Sequence, residues 1–166
     1  AVLLASEEWA KAHNLPVLAY LTYGQHIANN FVGGDGLLMA PTIAVSKLLD
    51  RAGLTLQDFD FYEIHEAFAA QVLCTLKAWE DADYCKRVLG KDAPLGSIDR
   101  AKLNVKGSSL AFGHPFAATG ARIVANLAKL LSINGGRGLI SICTAGGMGV
   151  AAILEAPKSI EARVAA

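Results

Sequence analysis

Residues 138–155, GLISICTAGGMGVAAILE, constrain the fold more than any other stretch of the chain. An apolar run at 139–142 ends in Cys143 and gives way to small residues and glycine, and a second apolar run follows at 150–154. Short apolar runs bounded by glycine read as buried strands. The glycine turn between them predicts an antiparallel pair. A thiol at the end of a central strand, facing a turn whose backbone amides lie open to a ligand, has the form of a reactive position. Taken alone, a small buried residue before a hairpin is the commoner explanation, because free cysteine is among the most buried side chains. The rest of the chain decides between them.

Upstream, strands and helices alternate. Residues 1–5 read as a short buried strand. Ser6 reads as an N-cap with Glu7 and Glu8 in the first helical turn, and Asn14 as the stop. A strand is expected at 16–23 and a glycine-rich loop at 29–36, with His13 and His26 at the surface or a strand edge. Pro41 opens a helix whose Val45, Leu48, Leu49 and Ala52 follow one face, and Gly53 closes it. A strand at 59–64 is followed by a helix with Phe68, Val72, Leu76 and Trp79 on one face. Cys74, inside that helix, is expected in the core. Residues 81–101 are the most charged stretch and read as a surface excursion in which Cys85 has no partner. Residues 103–105 begin an extended segment running to Phe112. Pro115 then opens a helix to about Ile133, stopped by Gly135 and Gly136. Alternation ending in a strand pair predicts an α/β fold with a mostly parallel sheet, with sites beyond the carboxyl ends of the strands.

Several function classes drop out. The 166 residues carry 15 Lys and Arg against 15 Asp and Glu, so no net field favours nucleic acid or an anionic membrane. No apolar run approaches the ~18 residues of a membrane span. Three cysteines without zinc spacing predict free thiols in a reducing compartment and no metal site. His65 with Glu66 lacks the second histidine of a zinc-protease helix, since position 69 is Ala69. Residues 107–111 lack the last glycine of a nucleophile elbow. The glycines at 146–149 precede a strand, which leaves a dinucleotide fingerprint unsupported. No starting Met is present and an apolar strand is read at residue 1, so the chain is expected to be a piece of something longer.

Three reactive side chains fall where strands end: His65, His114 and Cys143. His114 directly precedes the expected helix at Pro115, where a helix N-terminus disfavours the imidazolium and leaves a base or a donor. A thiol of ordinary pKa, about 8.5, can exchange a proton with a carbon acid or another thiol. The Ala145 amide can donate to an oxyanion. Two histidines and a thiol suit acyl or carbon-acid chemistry on a thioester or carbonyl.

HEAFA at 65–69, GHPFAATGAR at 113–122 and CTAGGMG at 143–149 stand in the order and spacing of the three C-terminal signature blocks of thiolases. AGLTLQDFD at 52–60 resembles the lead-in to the first block. The likeness covers nearly the whole chain, and histidine at the head of the first block is similar to the branch containing the thiolase β subunit of the fatty-acid β-oxidation trifunctional complex. Ala117 stands where many relatives have glycine and is expected only to trim helix flexibility.

The resemblance implies a thiolase-like α/β/α layered domain with a mixed, mostly parallel five-stranded sheet. Residues 1–15 would be a remnant of the N-terminal domain, 16–157 the C-terminal domain and 158–166 a tail. It implies an acyltransferase that cleaves 3-ketoacyl-CoA with CoA, in the bacterial cytoplasm or mitochondrial matrix. Coenzyme A enters as co-substrate, with no other cofactor. The implied roles are activation of a nucleophilic cysteine and part of an oxyanion hole for His114, completion of that hole for His65, and proton transfer for Cys143. Ala145 would give its amide to a second oxyanion hole, and Ala67 and Phe68 would line the pantetheine path. The family's nucleophile lies in an N-terminal half, and neither Cys74 nor Cys85 stands in its motif, so this chain alone is expected to be inactive. Implied partners are acyl-CoA and CoA, the missing N-terminal half, a second copy through that half, and a β-oxidation complex α subunit. The competing readings are a ketoacyl-synthase-type condensing enzyme, against which Cys143 argues, and a non-catalytic CoA-binding or assembly module.

Overall fold

A computed structural model describes residues 1–157 of the chain; the expected tail, 158–166, lies outside the described residues. Ser6 caps the first helix as expected. Its hydroxyl accepts the Trp9 amide at 3.2 Å, and α1 (Glu7–Ala12) follows with both glutamates at the positive end of its dipole. His13 stacks on Trp9 with ring centroids 4.0 Å apart. Residues 1–5 are exposed and unpaired rather than a buried strand. A strand needs a neighbour for its ladder, and none of the sheet strands pairs with this run.

The strand expected at 16–23 is β1 (Tyr20–Ala28), shifted downstream and nine residues long. A wide helical turn, Phe31–Asp35, leads to α2 (Ala40–Ala52), which Gly53 closes in the left-handed region at φ 65°. Then come β2 (Phe61–Ile64), α3 (Ala69–Glu80) and the short α4 (Ala82–Tyr84), which runs on through a wider turn at Cys85–Leu89. After a tight turn at Arg100–Lys102, α5 (Ser109–Phe112) and α6 (Thr119–Asn134) precede β3 (Arg137–Thr144) and β4 (Met148–Glu155).

Among the described residues the sheet has four strands in the order β1-β4-β3-β2. The β2–β3 pair is parallel, and the pairs β3–β4 and β1–β4 are antiparallel. The sheet is therefore mixed, as expected, with one parallel pair rather than a parallel majority. The fifth strand is reduced to a single parallel bridge between Tyr62 and Leu103. The chain turns away at once because Asn104 sits at φ 48°, a conformation no strand continues.

Side-chain alternation sorts the core into two layers. Leu139, Ala151 and Ile153 meet Tyr62 and Ile64 on one face, under Val45, Leu48 and Leu49 of α2 and Val72, Leu76 and Trp79 of α3. Ile140, Ala152 and Leu154 meet Ile123, Leu127 and Leu131 of α6 on the other. Helices cover both faces of the sheet, giving the α/β/α layering. The helix contact is close at Gly138, where an added methyl would lie 2.4 Å from Leu127 Cδ1.

The two lone thiols exchange places relative to expectation. Cys74 is exposed, because it is two residues from both Val72 and Leu76 and so points away from the buried stripe. Cys85 is fully buried, with its sulfur 3.5 Å from the carbonyls of Ala78 and Trp79. No helix among the described residues is long and apolar enough to cross a membrane.

Candidate active site

Parallel pairing brings the ends of β2 and β3 side by side. Ile64 lies opposite Ser141, and the His65 amide extends the ladder by donating to the Ser141 carbonyl at 2.9 Å. Cys143 is two residues further along β3, opposite Gly149 of β4. The loop after Leu103 then clamps the end of β2. The Asn104 side chain accepts the Ile64 amide and donates to the Ile64 carbonyl and to Glu66 Oε1, each at 2.9 Å. Glu66 Oε2 accepts the Leu110 amide at 3.1 Å. One asparagine and one glutamate thus do what a fifth strand would have done.

This clamp carries the 113–122 block over His65. The two imidazole rings lie 4.4 Å apart between centroids, tilted by 48°. His65 is buried, and its Nδ1 is 3.0 Å from Ser109 Oγ. Burial, and behind it the His114 ring and the Arg122 charge, push the His65 imidazole below its ordinary pKa, so it is neutral at pH 7.

His114 is held differently. α6 begins at Thr119 rather than Pro115, so four residues separate His114 from the helix and the dipole argument from sequence does not apply. The obstacle is Ala117, whose φ of 64° no α-helix contains. The residue expected only to trim flexibility instead marks a left-handed kink between His114 and its helix. Thr119 spans the kink: its Oγ1 lies 2.6 Å from His114 Nδ1 and 3.4 Å from the Pro115 carbonyl. A threonine hydrogen directed to Pro115 makes Oγ1 the acceptor for His114 Nδ1–H. That assignment leaves Nε2 with a free lone pair, the arrangement of a base.

Cys143 is buried, and burial raises its thiol above the ordinary value. It is a protonated thiol at neutral pH, suited to giving a proton to a carbanion and taking one from a stronger acid. The N-terminus of α2 presses on the strand opposite, since a methyl on Gly149 would lie 2.6 Å from Pro41 N. Ala145 stands exposed at the start of the turn, where Gly146 and Gly147 adopt φ of 88° and 73°. Ala67 is half-buried between β2 and α3, and Phe68 is 64% exposed at the head of α3.

The structure thus brings the two histidines into ring contact and places Cys143 on the strand beside His65. Sequence reasoning missed the supporting polar groups, namely Asn104, Ser108, Ser109, Thr119 and Arg122. Thr119 and Arg122 were legible in part, being three residues apart inside the second block and so on one helical face. Glu63 was missed as well. It is fully buried with no hydrogen-bond partner for either oxygen, and burial pushes its carboxyl up to about 7.

The sequence matches the family model described as the C-terminal domain of thiolase over residues 17–156. It is 45% identical over 156 residues to a 3-ketoacyl-CoA thiolase of Yersinia pestis (strain Pestoides F), covering 93% of this chain and 35% of that one. Human mitochondrial 3-ketoacyl-CoA thiolase superposes with a TM-score of 0.70 at 33% identity, over 92% of this chain and 34% of that one. Peroxisomal 3-ketoacyl-CoA thiolase of Saccharomyces cerevisiae, a five-layered structure built from two core domains of identical topology, gives a TM-score of 0.68 at 36% identity. It is covered over 89% of this chain and 36% of that one. The chain spans about a third of the length of the relatives it matches.

Proposed function

The chain belongs to the thiolase family through its C-terminal domain, and on that premise we propose that it is the catalytic C-terminal half of a 3-ketoacyl-CoA thiolase of fatty-acid β-oxidation. The carrying observation is the His65–His114 ring contact at the end of β2, with a protonated Cys143 on the neighbouring strand. Residues 1–15 then belong to the end of an N-terminal domain and 16–157 form the C-terminal one, in keeping with the 17–156 match.

In this reading the N-terminal half supplies a nucleophilic cysteine. His114 takes its proton, and the thiolate attacks the 3-keto carbon of the acyl-CoA. The bond between C2 and C3 breaks, leaving the acyl group on the cysteine and acetyl-CoA as its enolate. His114, once protonated, and His65 face the enolate oxygen, and Cys143 protonates C2. Incoming CoA then gives its thiol proton back to Cys143 and takes the acyl group, while the Ala145 amide receives the tetrahedral oxyanion. Ala67 and the exposed ring of Phe68 line the path of the pantetheine arm. Acyl-CoA and CoA are the substrates, and no further cofactor is invoked. Assembly is with the N-terminal half, with a second copy through that half, and with a β-oxidation α subunit. The compartment is reducing, bacterial cytoplasm or mitochondrial matrix, which suits three free thiols.

The test is Cys143→Ala in the enzyme completed with its N-terminal half. Thiolysis should fall by roughly 100-fold or more. A variant that keeps a decarboxylating condensation activity would instead support a condensing enzyme, which has no use for this thiol, and one that keeps full thiolysis would remove Cys143 from the proposed mechanism.

A further inference from the structure

Behind the two histidines lies a buried polar network that the reaction as written does not use. Arg122, on the first turns of α6, reaches back under α5, where its Nη2 donates to Ser108 Oγ and Ser109 Oγ, each at 3.3 Å. The guanidinium carbon sits 5.8 Å from the centre of the Phe112 ring, a cation–π distance. Ser109 Oγ is in turn 3.0 Å from His65 Nδ1, and Ser108 Oγ donates to the Ile64 carbonyl at 3.4 Å. Ser108 and Ser109 are both buried, so no bulk water competes for these bonds.

The hydrogen count decides the directions. A guanidinium has only donors, and a serine hydroxyl has one hydrogen and two lone pairs. Ser109 Oγ accepts from Arg122 on one lone pair, and among the described residues His65 Nδ1 is the acceptor within reach of its hydrogen; turned away from it, that hydrogen would be buried without a partner. A neutral imidazole that accepts at Nδ1 carries its proton on Nε2. His114 is assigned the opposite tautomer by Thr119.

We infer that Ser109, held in place by the Arg122 donor, gives its hydrogen to His65 Nδ1 and fixes His65 as the Nε2–H tautomer, a hydrogen-bond donor, with Arg122 the positioning residue that holds the serine. The neighbouring rings are therefore not interchangeable: His65 donates and His114 accepts. Ser109 is the second positioning residue in this relay. The tautomer follows from the bonds themselves; its use toward an enolate oxygen rests on the thiolase reading above.

The experiment is long-range 15N–1H correlation NMR of the intact chain at neutral pH, which reads imidazole tautomers directly and needs no activity. The parent should show His65 with a protonated Nε2 and an unprotonated Nδ1. Arg122→Met removes the bond that holds the Ser109 hydroxyl in this orientation and should move His65 to a mixture of tautomers or to Nδ1–H. Arg122→Lys, which retains a donor, should restore part of the parent pattern. Ser109→Ala removes the donor without disturbing the arginine, keeps the test available should Arg122→Met fail to fold, and should give a mixture as well. A parent with Nδ1–H, or variants whose His65 stays purely Nε2–H, would overturn the inference. In the completed enzyme, Ser109→Ala should lower kcat by roughly 10- to 100-fold with KM nearly unchanged. An intact NMR pattern without any thiolysis would sink the proposed function while leaving the relay standing.

Discussion

Glu63→Gln isolates the least comfortable charge in the fold. Glu63 is 0% exposed, neither of its oxygens finds a hydrogen bond, and the carboxyl is raised from its ordinary 4.5 to about 7. Burial is the main cause, Arg122 opposes it and Glu66 adds to it. The folded protein therefore holds this proton more tightly than the unfolded chain does. The group favours the fold fully below pH 4.5, and the advantage is lost as pH rises through about 7. Each pH decade of that interval is worth about 1.4 kcal/mol, hence about 3 kcal/mol across it. Glutamine keeps the shape and never ionises. Urea denaturation followed by the fluorescence of buried Trp79, from pH 4.5 to 8.5, reads the difference. The parent should lose stability over this range relative to Glu63→Gln, with the two nearly equal at the acid end and the variant ahead by about 3 kcal/mol at pH 8. Parallel pH profiles, or a variant weaker than the parent at pH 8, would refute the reasoning.

Ala117→Gly should stabilise the chain by about 1 kcal/mol in urea, because glycine adopts φ 64° without the Cβ clash. Gly149→Ala should cost about 1–3 kcal/mol in the same assay, since the methyl meets α2 backbone at 2.6 Å and can be housed only by moving the helix or the strand bearing Cys143. Alkylation at pH 7.5 with peptide mapping should modify exposed Cys74 well before Cys143, whose thiol is buried and raised, or Cys85, which is fully buried. Equal rates at Cys74 and Cys143 would contradict the burial assigned to the site.

Local chemistry that one residue dictates was readable in the chain. Pro41 and Gly53 bracket α2, Ser6 caps α1, and the glycines at 146–147 make the β3–β4 hairpin. The α/β class and the strand-end positions of His65 and Cys143 followed from the alternation these elements set up, whereas His114 follows α5 and not the expected strand. What escaped depends on contacts distant in sequence. A Pro followed by small residues reads as a helix start, yet Ala117 takes a left-handed conformation and delays α6 by four residues. The segment after Leu103 has strand-like composition, but Asn104 spends its side chain on the end of β2, across 40 residues, and leaves one bridge where a fifth strand was expected. The Cys74 expectation failed because a cysteine's preference for the core was given more weight than its angle on the helix. Glu63 sits inside a strand without any local mark of burial; only α6 packing over β2 and β3 removes it from water.

The decisive measurement is thiolysis of a 3-ketoacyl-CoA, followed as loss of its enolate absorbance, by this chain alone and together with a thiolase N-terminal half. Turnover should be absent for the chain alone, appear when the halves are combined, and fall by roughly 100-fold or more in the combined enzyme on His114→Ala. Turnover by the chain alone, or a combined enzyme indifferent to His114→Ala, would contradict the proposed function.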